Sequence, residues 1–126
     1  MTELTYTVQV PVKVTAEDIY NILWSAVNQG SRYWLEDIKD VSGSDTCLEY
    51  VIQPENTSVF IYPETDDGSK LGKAPLTLAK LLGGLEQYLT ERGTGIEDGG
   101  IDTSALDSYE CDLILQYALF GEQVFG

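Results

Sequence analysis

The stretch Leu113–Phe120 constrains the fold more than any other part of the chain. Wound as a helix, it is apolar on nearly every side, and only Asp112 and Gln116 share one polar edge. The helix is predicted to begin within Ser104–Asp107 and to end before Gly121. A helix that is apolar all round must be buried. The sequence therefore predicts that this helix lies either in the centre of the core or in an interface between copies of the chain.

Two further segments have the pattern of amphipathic helices. Apolar residues recur at every third or fourth position over Leu78–Leu89, which predicts a helix over roughly Thr77–Gly93. Thr15 and Asp18 have the spacing of a capping box and predict a helix over Ala16–Gln29. With the apolar C-terminal helix, the sequence thus predicts three helices.

Two adjacent glycines, Gly83 and Gly84, lie inside the predicted helix Thr77–Gly93. A glycine in an exposed helical position costs about 1 kcal/mol relative to alanine. Gly84 borders the apolar stripe, which predicts close packing against a neighbouring element. Gly83 points toward the polar side of the helix. The simpler interpretation is that the protein tolerates the lower helix stability that this glycine causes. The alternative is that a partner approaches the helix closely at Gly83.

The strand signals lie in the first half of the chain. Tyr6–Val14 alternates apolar and polar residues, which is typical of a half-buried strand, and Pro11 predicts that this strand lies at a sheet edge or carries a bulge. The β-branched and aromatic runs Thr46–Ile52 and Thr57–Tyr62 predict an antiparallel hairpin. A weaker strand signal covers Leu35–Val41.

The polar segments 63–73 and 94–103 are predicted loops. The tail Glu122–Gly126 contains Val124 and Phe125 and is predicted to pack onto the domain. Together these signals predict one α+β domain over residues 1–126. Its small, mostly antiparallel sheet of three to four strands packs against three helices in the order β-α-β-β-β-α-α.

The charge of the chain restricts the classes of function. It contains 21 Asp and Glu against 7 Lys and Arg, has no histidine, and has a net charge of −14. Such a charge repels nucleic acid and anionic lipid and attracts cationic protein surfaces. The lack of histidine removes the usual general base and the commonest zinc ligand. We therefore expect a binding protein rather than an enzyme, with no cofactor and no direct binding of nucleic acid or membrane.

No metal site is predicted from the acidic loops. An EF-hand loop needs acids at its first, third and fifth positions before the glycine, and the segments before Gly68 and Gly99 lack that pattern. An irregular calcium site formed by Glu97, Asp98 and Asp102 is the alternative to a solvated loop.

The expected location is the cytoplasm. No apolar run approaches the roughly 20 residues that span a bilayer, and the first residues lack the pattern of a signal peptide. Cys47 and Cys111 are far apart and have apolar or acidic neighbours, which is typical of buried, reduced thiols.

The acidic residues have an uneven distribution. Residues 93–126 contain seven acids and no Lys or Arg. We predict that these acids form a negative surface whose carboxylates stand in for phosphates in a basic nucleic-acid channel. The candidate partner-binding residues are Glu97, Asp98, Asp102, Asp107, Glu110 and Asp112, with Tyr33 and Trp34 as aromatic anchors.

Simpler interpretations of the same residues stay open. Asp107 and Glu110 lie at the predicted start of a helix, where negative charge complements the helix dipole. Acidity across the whole chain also favours solubility. For Tyr33 and Trp34, ordinary core packing is the simpler interpretation.

Three segments resemble a known group of proteins. Ser31–Trp34, Leu76–Leu82 and Gln116–Glu122 are similar to segments of short, acidic, uncharacterised proteins encoded in Firmicute prophages and mobile elements. The resemblance implies a genetic context and no site residues. Small acidic proteins of that context are similar in size and charge to anti-CRISPR and other anti-defence inhibitors. The resemblance therefore implies inhibition of a basic, nucleic-acid-handling host protein such as a Cas nuclease.

Two other classes of function are alternatives. A sponge for a nucleotide signal needs a cationic pocket, for which Arg32, Lys39 and Arg92 are the few candidates. A self-associating structural or accessory phage protein would form a homo-oligomer through the apolar C-terminal helix.

Overall fold

Helices and a three-stranded antiparallel sheet together form an α+β fold. The computed structural model describes residues 12–92, 96–97 and 100–126. The elements in chain order are α1 (Ala16–Ser25), a π-helical turn (Ala26–Gly30), β1 (Asp37–Asp40), α2 (Leu48–Val51), β2 (Ser58–Pro63), β3 (Leu71–Leu76), α3 (Leu78–Arg92), β4 (Ile96–Glu97), β5 (Gly100–Ile101), a 3-10 turn (Thr103–Ala105) and α4 (Ser108–Phe120).

Helix α4 forms the centre of the core. Every residue from 111 to 119 is buried, and the helix packs against α3, α1, the π-helical turn and β3. Asp107 caps its start by accepting a hydrogen bond from the Glu110 backbone N–H at 2.8 Å. Gly121 ends it in the left-handed conformation, with φ of 75°. Of the two environments predicted for this helix, the core of its own chain is the observed one.

The other two long helices lie where the sequence predicts them. The predicted capping box starts α1: Thr15 Oγ1 accepts from the Asp18 N–H at 3.1 Å, and Asp18 Oδ2 accepts from the Thr15 N–H at 3.0 Å. The helical path continues through the π-helical turn to Gly30. Helix α3 presents Leu81, Leu85 and Tyr88 to the core, so its apolar stripe has the predicted direction.

The sheet has the order β1-β2-β3, and both strand pairs are antiparallel. Strand β1 lies within the predicted strand Leu35–Val41, and β2 overlaps the predicted strand Thr57–Tyr62 but extends one residue past it, to Pro63. The predicted hairpin partner of β2 is wrong, because Ser58 pairs with Leu76 and Pro63 with Leu71 of β3. Strand β3 thus occupies the end of the predicted loop 63–73 and extends past it.

The predicted strand Thr46–Ile52 contains the short helix α2 instead. Its turn is closed by hydrogen bonds from the Val51 N–H to the Cys47 carbonyl and from the Ile52 N–H to the Leu48 carbonyl, each 3.2 Å long. Leu48, Val51 and Ile52 all contact the core. Their spacing of three and four residues is that of one helical face, so a single helical turn buries them together.

The predicted strand Tyr6–Val14 lies mostly outside the described residues. At its end, Lys13 forms an isolated parallel bridge with Gly100 of β5. Strands β4 and β5 form a two-stranded antiparallel ladder within the predicted loop 94–103. The tail Glu122–Gly126 packs back onto the domain through Phe125, as predicted.

Candidate functional site

The predicted acidic residues before α4 act as caps of consecutive helical turns. Asp102 starts the 3-10 turn, where its Oδ1 accepts from the Ser104 N–H at 3.0 Å. Asp107 is the N-cap of α4, and Glu110 completes a capping box by accepting from the Asp107 N–H at 3.3 Å. These bonds fix the carboxylates in position, and Asp107 is exposed.

Two members of the predicted set are described less fully. Glu97 belongs to strand β4 by its backbone, and Asp98 lies outside the described residues. The alternative calcium site, which needs both side chains, therefore falls largely outside the described part of the chain. For these residues the partner-binding role stays a prediction.

Asp112 does not lie on the surface. Its side chain is completely buried, so the prediction that it presents charge to a partner is wrong. Oδ1 accepts hydrogen bonds from Ser31 Oγ and from Trp34 Nε1, both at 2.7 Å, and Oδ2 accepts from Tyr33 OH at 2.9 Å. Gln116 Nε2 lies 3.1 Å from either oxygen. A buried carboxylate needs such donors to offset its loss of hydration.

We call this set of Ser31, Tyr33, Trp34, Asp112 and Gln116 the Asp112 cluster. A close approach of backbones positions it. A Cβ at Gly30 would lie 1.9 Å from the Ser108 carbonyl oxygen, so only glycine lets the end of the π-helical turn meet the start of α4. The residues that follow, Ser31–Trp34, then lie beside the first turns of α4.

The two predicted aromatic anchors have different environments. Trp34 is 3% exposed with the tail in place, so the simpler interpretation of core packing is the observed one. Tyr33 is 59% exposed. Burial of the Tyr33 hydroxyl, followed in importance by its hydrogen bond to Asp112, raises the pKa of Tyr33 to about 12. Tyr33 thus joins the Asp112 cluster to the surface.

The hydrogen bonds between Gln116 and the tail were not predicted from the sequence. Gln116 is completely buried, and its Oε1 accepts from the backbone N–H groups of Val124 and Phe125 at 2.8 Å each. The signal was present in the sequence, because Asp112 and Gln116 are the polar residues of an otherwise apolar helical stretch. Polar groups inside a core are almost always hydrogen-bonded, so such a pair indicates a buried polar cluster.

The exposed acids determine the electrostatics of the molecular surface. Of the 18 Asp and Glu whose side chains the structure describes, 17 reach solvent, and Asp112 is the exception. Lys39 lies 3.2 Å from Asp37 and also bonds Asp45, and Lys70 lies 3.3 Å from Glu64. These contacts leave a large excess of negative charge on the surface.

An open cavity of about 530 Å³ lies between the π-helical turn and β1. Its polar lining includes Arg32 together with Glu36 and Asp37. One cation beside two carboxylates is a poor site for a nucleotide phosphate, and Lys39 is held by its ion pairs. The cavity therefore gives the nucleotide-sponge alternative no support.

The two cysteines differ in exposure. Cys47 lines the cavity and is exposed, so the prediction that it is buried is wrong. It directly precedes the short helix α2 rather than lying inside a strand. Cys111 is buried as predicted. Burial raises the pKa of the Cys111 thiol to about 12, and the charges of Glu110 and Asp107 add to that increase.

The apolar surface of α4 is covered within one chain. Residues on every side of the helix contact α1, α3, the π-helical turn or β3. The hydrophobicity of this helix is therefore explained without a second copy. A homo-oligomer formed through α4 stays a prediction that the fold does not require.

Over residues 12–92 and 100–126, no group of three or more Cys, Asp or Glu side chains is arranged to hold a metal ion. No helix in the described part of the chain combines the length and apolar character needed to cross a membrane. In comparisons with known proteins, no protein family, no curated protein and no solved structure matches this chain.

Proposed function

We propose that the protein is a phage- or mobile-element-encoded inhibitor that binds a basic, nucleic-acid-handling host protein, in the manner of an anti-CRISPR protein. Cas nucleases are the first candidate targets, and the inhibition is stoichiometric, without turnover, in the bacterial cytoplasm. One observation supports this best: 17 of the 18 described acidic side chains reach solvent. Since the chain has only 7 basic residues against 21 acids, internal ion pairs cannot neutralise this surface.

The proposed contact region is the segment of acids that precedes and begins α4. We call it the acidic surface, and it comprises Glu97, Asp98, Asp102, Asp107 and Glu110. Residues 93–126 contain no Lys or Arg that could offset it. The capping bonds of Asp102, Asp107 and Glu110 hold their carboxylates in place. Fixed side chains lose little conformational entropy on binding, which favours their use in recognition.

The experiment that tests the function is a binding assay against purified targets. Affinity capture from a native host lysate selects the panel, which also includes Cas nucleases and unrelated basic nucleases. We expect a one-to-one complex that blocks loading of nucleic acid. Salt screens exposed charges, with a Debye length of about 10 Å at 0.1 M. We therefore expect affinity to fall at least about tenfold between roughly 0.1 and 0.5 M NaCl. A panel with no binder, or binding that ignores salt, contradicts the proposal.

Matched variants separate the acidic surface from the general acidity of the chain. The test variant carries Asp→Asn or Glu→Gln at all five positions of the acidic surface. Asn caps a helix as well as Asp does, and Gln can complete a capping box. Because the buried Tyr88 hydroxyl also donates to Glu110 Oε2, circular dichroism checks that the test variant is folded before affinities are compared. The control variant carries the same type of change at five acids outside this surface: Glu17, Glu36, Glu55, Asp66 and Glu86.

Both variants remove five negative charges. If the acidic surface is the contact, the test variant loses much more affinity than the control. Equal losses in the two variants would mean that only the net charge matters, and the proposed location would be wrong.

A further inference from the structure

The segment after α4 is bound to the domain in the way a peptide is bound by a receptor. Residues Glu122–Gly126, which we call the tail, return over α4 after the left-handed turn at Gly121. The N–H groups of Val124 and Phe125 both donate to Gln116 Oε1 at 2.8 Å. Gln116 Nε2 lies 3.2 Å from the Phe125 carbonyl oxygen. One side-chain amide thus contacts main-chain donors and an acceptor, as a neighbouring strand does in peptide recognition.

The single anchoring side chain of the tail is aromatic. The Phe125 ring stacks on Trp34, with 4.9 Å between ring centroids and 5° between planes. Tyr62 and Phe120 contact its edges at centroid distances of 6.2 and 6.0 Å. We call Trp34, Tyr62 and Phe120 the aromatic cup. Aromatic pairs at such distances stabilise a contact beyond the contribution of their buried area.

The receptor side of this contact is fixed by bonds that do not involve the tail. Trp34 Nε1 donates to Asp112 at 2.7 Å, and Gln116 Nε2 lies 3.1 Å from the same carboxylate. Both side chains are at least nine-tenths buried. Val124, in contrast, is 51% exposed, so the tail contributes little besides its backbone and one ring. A preformed polar contact above an aromatic cup is the usual composition of a ligand site.

We propose that Gln116 and the aromatic cup form a peptide-binding site for a short segment with an aromatic side chain, and that the tail is its intramolecular ligand. Within the tail, Gln116 contacts only main-chain atoms, so the site selects its ligand at one position, the one filled by Phe125. A tethered segment has an effective concentration of about millimolar. A peptide from another protein must therefore compete with the tail for the site. This inference is independent of the proposed inhibitor function.

The test uses the full chain with Trp34 as its only tryptophan. Trp24→Phe removes the other indole, which is 43% exposed. In this background, Phe125→Ala releases the anchor of the tail, and Val124→Ala is the matched control in the same segment. The probe is a capped peptide with the sequence of residues 121–126, and its control has alanine in place of phenylalanine. Acrylamide quenching of Trp34 fluorescence reports whether the aromatic cup is covered.

We expect Phe125→Ala to raise the quenching constant of Trp34 about twofold or more, since the stacked ring is gone. Val124→Ala should leave quenching unchanged. The natural peptide should reverse the change saturably, with a dissociation constant at or below about 1 mM. The alanine peptide should have no effect.

Two results would overturn the inference. Unchanged quenching in Phe125→Ala would mean that the ring does not cover Trp34. Increased quenching that the natural peptide cannot reverse would mean that the site binds the tail only as part of the fold. If circular dichroism shows that Phe125→Ala is unfolded, Phe125→Leu replaces it, because leucine keeps an apolar side chain and removes the ring. The same peptide titration is then applied to Phe125→Leu, and a lack of reversal by the natural peptide again contradicts the inference.

Discussion

At the scale of single residues, Asp112 is the most unusual feature of the protein. Its carboxylate is completely buried, and its described hydrogen-bond donors are neutral groups of Ser31, Tyr33, Trp34 and Gln116. Hydrogen bonds to a charged group are about twice as strong as bonds between neutral groups. Because Gln116 also holds the tail, the Asp112 cluster connects the π-helical turn, α4 and residues 122–126.

The variant Asp112→Asn tests this cluster. In asparagine, an NH2 group replaces one of the two carboxylate oxygens. At least one N–H or O–H group of the Asp112 cluster that donated to this oxygen then loses its acceptor. Such unsatisfied buried groups cost about 1–3 kcal/mol, and the remaining bonds weaken because their acceptor loses its charge. We expect the free energy of unfolding in urea to fall by about 2–4 kcal/mol.

Asp107→Asn is the matched control for this prediction. It makes the same chemical change on an exposed side chain at the start of the same helix. Because asparagine is an equally good N-cap, its free energy of unfolding should change by less than about 0.5 kcal/mol. Equal effects of the two variants would contradict the role assigned to the Asp112 cluster.

At the scale of elements, the adjacent glycines of α3 show how packing decides helix composition. A Cβ added at Gly84 would lie 2.6 Å from both the Ala118 backbone nitrogen and the Ile114 carbonyl oxygen. A Cβ at Gly83 would meet nothing within 4 Å. Gly84 is therefore required by the close packing of α3 on α4, as the sequence predicts. Gly83 is exposed, in agreement with its predicted position on the polar side of the helix.

Alanine substitutions at these two positions should have opposite effects. Gly83→Ala should stabilise the protein by about 0.5–1 kcal/mol, because it restricts the unfolded chain and suits a helix. Gly84→Ala should destabilise it by about 1–3 kcal/mol, because backbone atoms of α4 must move. Thermal unfolding followed by circular dichroism measures both. Stabilisation by Gly84→Ala would contradict the observed approach of the two helices.

The helices could be predicted from the sequence because their signals are local. The capping box at Thr15 and Asp18, and the left-handed stop at Gly121, involve residues within one or two turns of each other. Strand β3 could not be predicted, because its inward residues include Gly72 and Ala74, which give no apolar alternation. Gly72 is needed since a Cβ there would lie 2.5 Å from the Tyr62 ring, a contact across strands that no local pattern contains.

The candidate site was predicted only in part for a similar reason. Asp102, Asp107 and Glu110 cap helical turns through bonds to residues two or three positions away, so the sequence places them well. The burial of Asp112 depends on Ser31 and Trp34, which are 81 and 78 positions distant. From charge alone, Asp112 was predicted to lie on the same surface as the three capping carboxylates. Only the tertiary contacts show that Asp112 is buried and that the other three reach solvent.

At the scale of the whole molecule, the excess negative charge acts on the folded state itself. The net charge is −14 on a chain of 13.9 kDa, and 17 of the 18 described acids lie where they reach solvent. Like charges on a compact surface repel one another and destabilise it relative to the unfolded chain. The same repulsion keeps copies of the protein apart, which favours solubility.

Salt should therefore stabilise the free protein. The Debye length falls from about 30 Å at 0.01 M to about 8 Å at 0.15 M, so added NaCl screens most of the surface repulsion. We expect the thermal midpoint to rise by about 2–5 °C over this range. The control variant of the function assay, which lacks five exposed negative charges, should show a smaller increase. An equal increase in both proteins would mean that salt acts through something other than this repulsion.

The sign of this salt response separates two uses of the same charges. Within the free protein the acids repel one another, so screening strengthens the fold. Between the acidic surface and a basic partner they attract, so screening weakens the complex. Measuring both across one salt series should give curves of opposite slope. If complex formation and stability rise together with salt, the partner is held by apolar contacts, and the acidic surface is not the site of recognition.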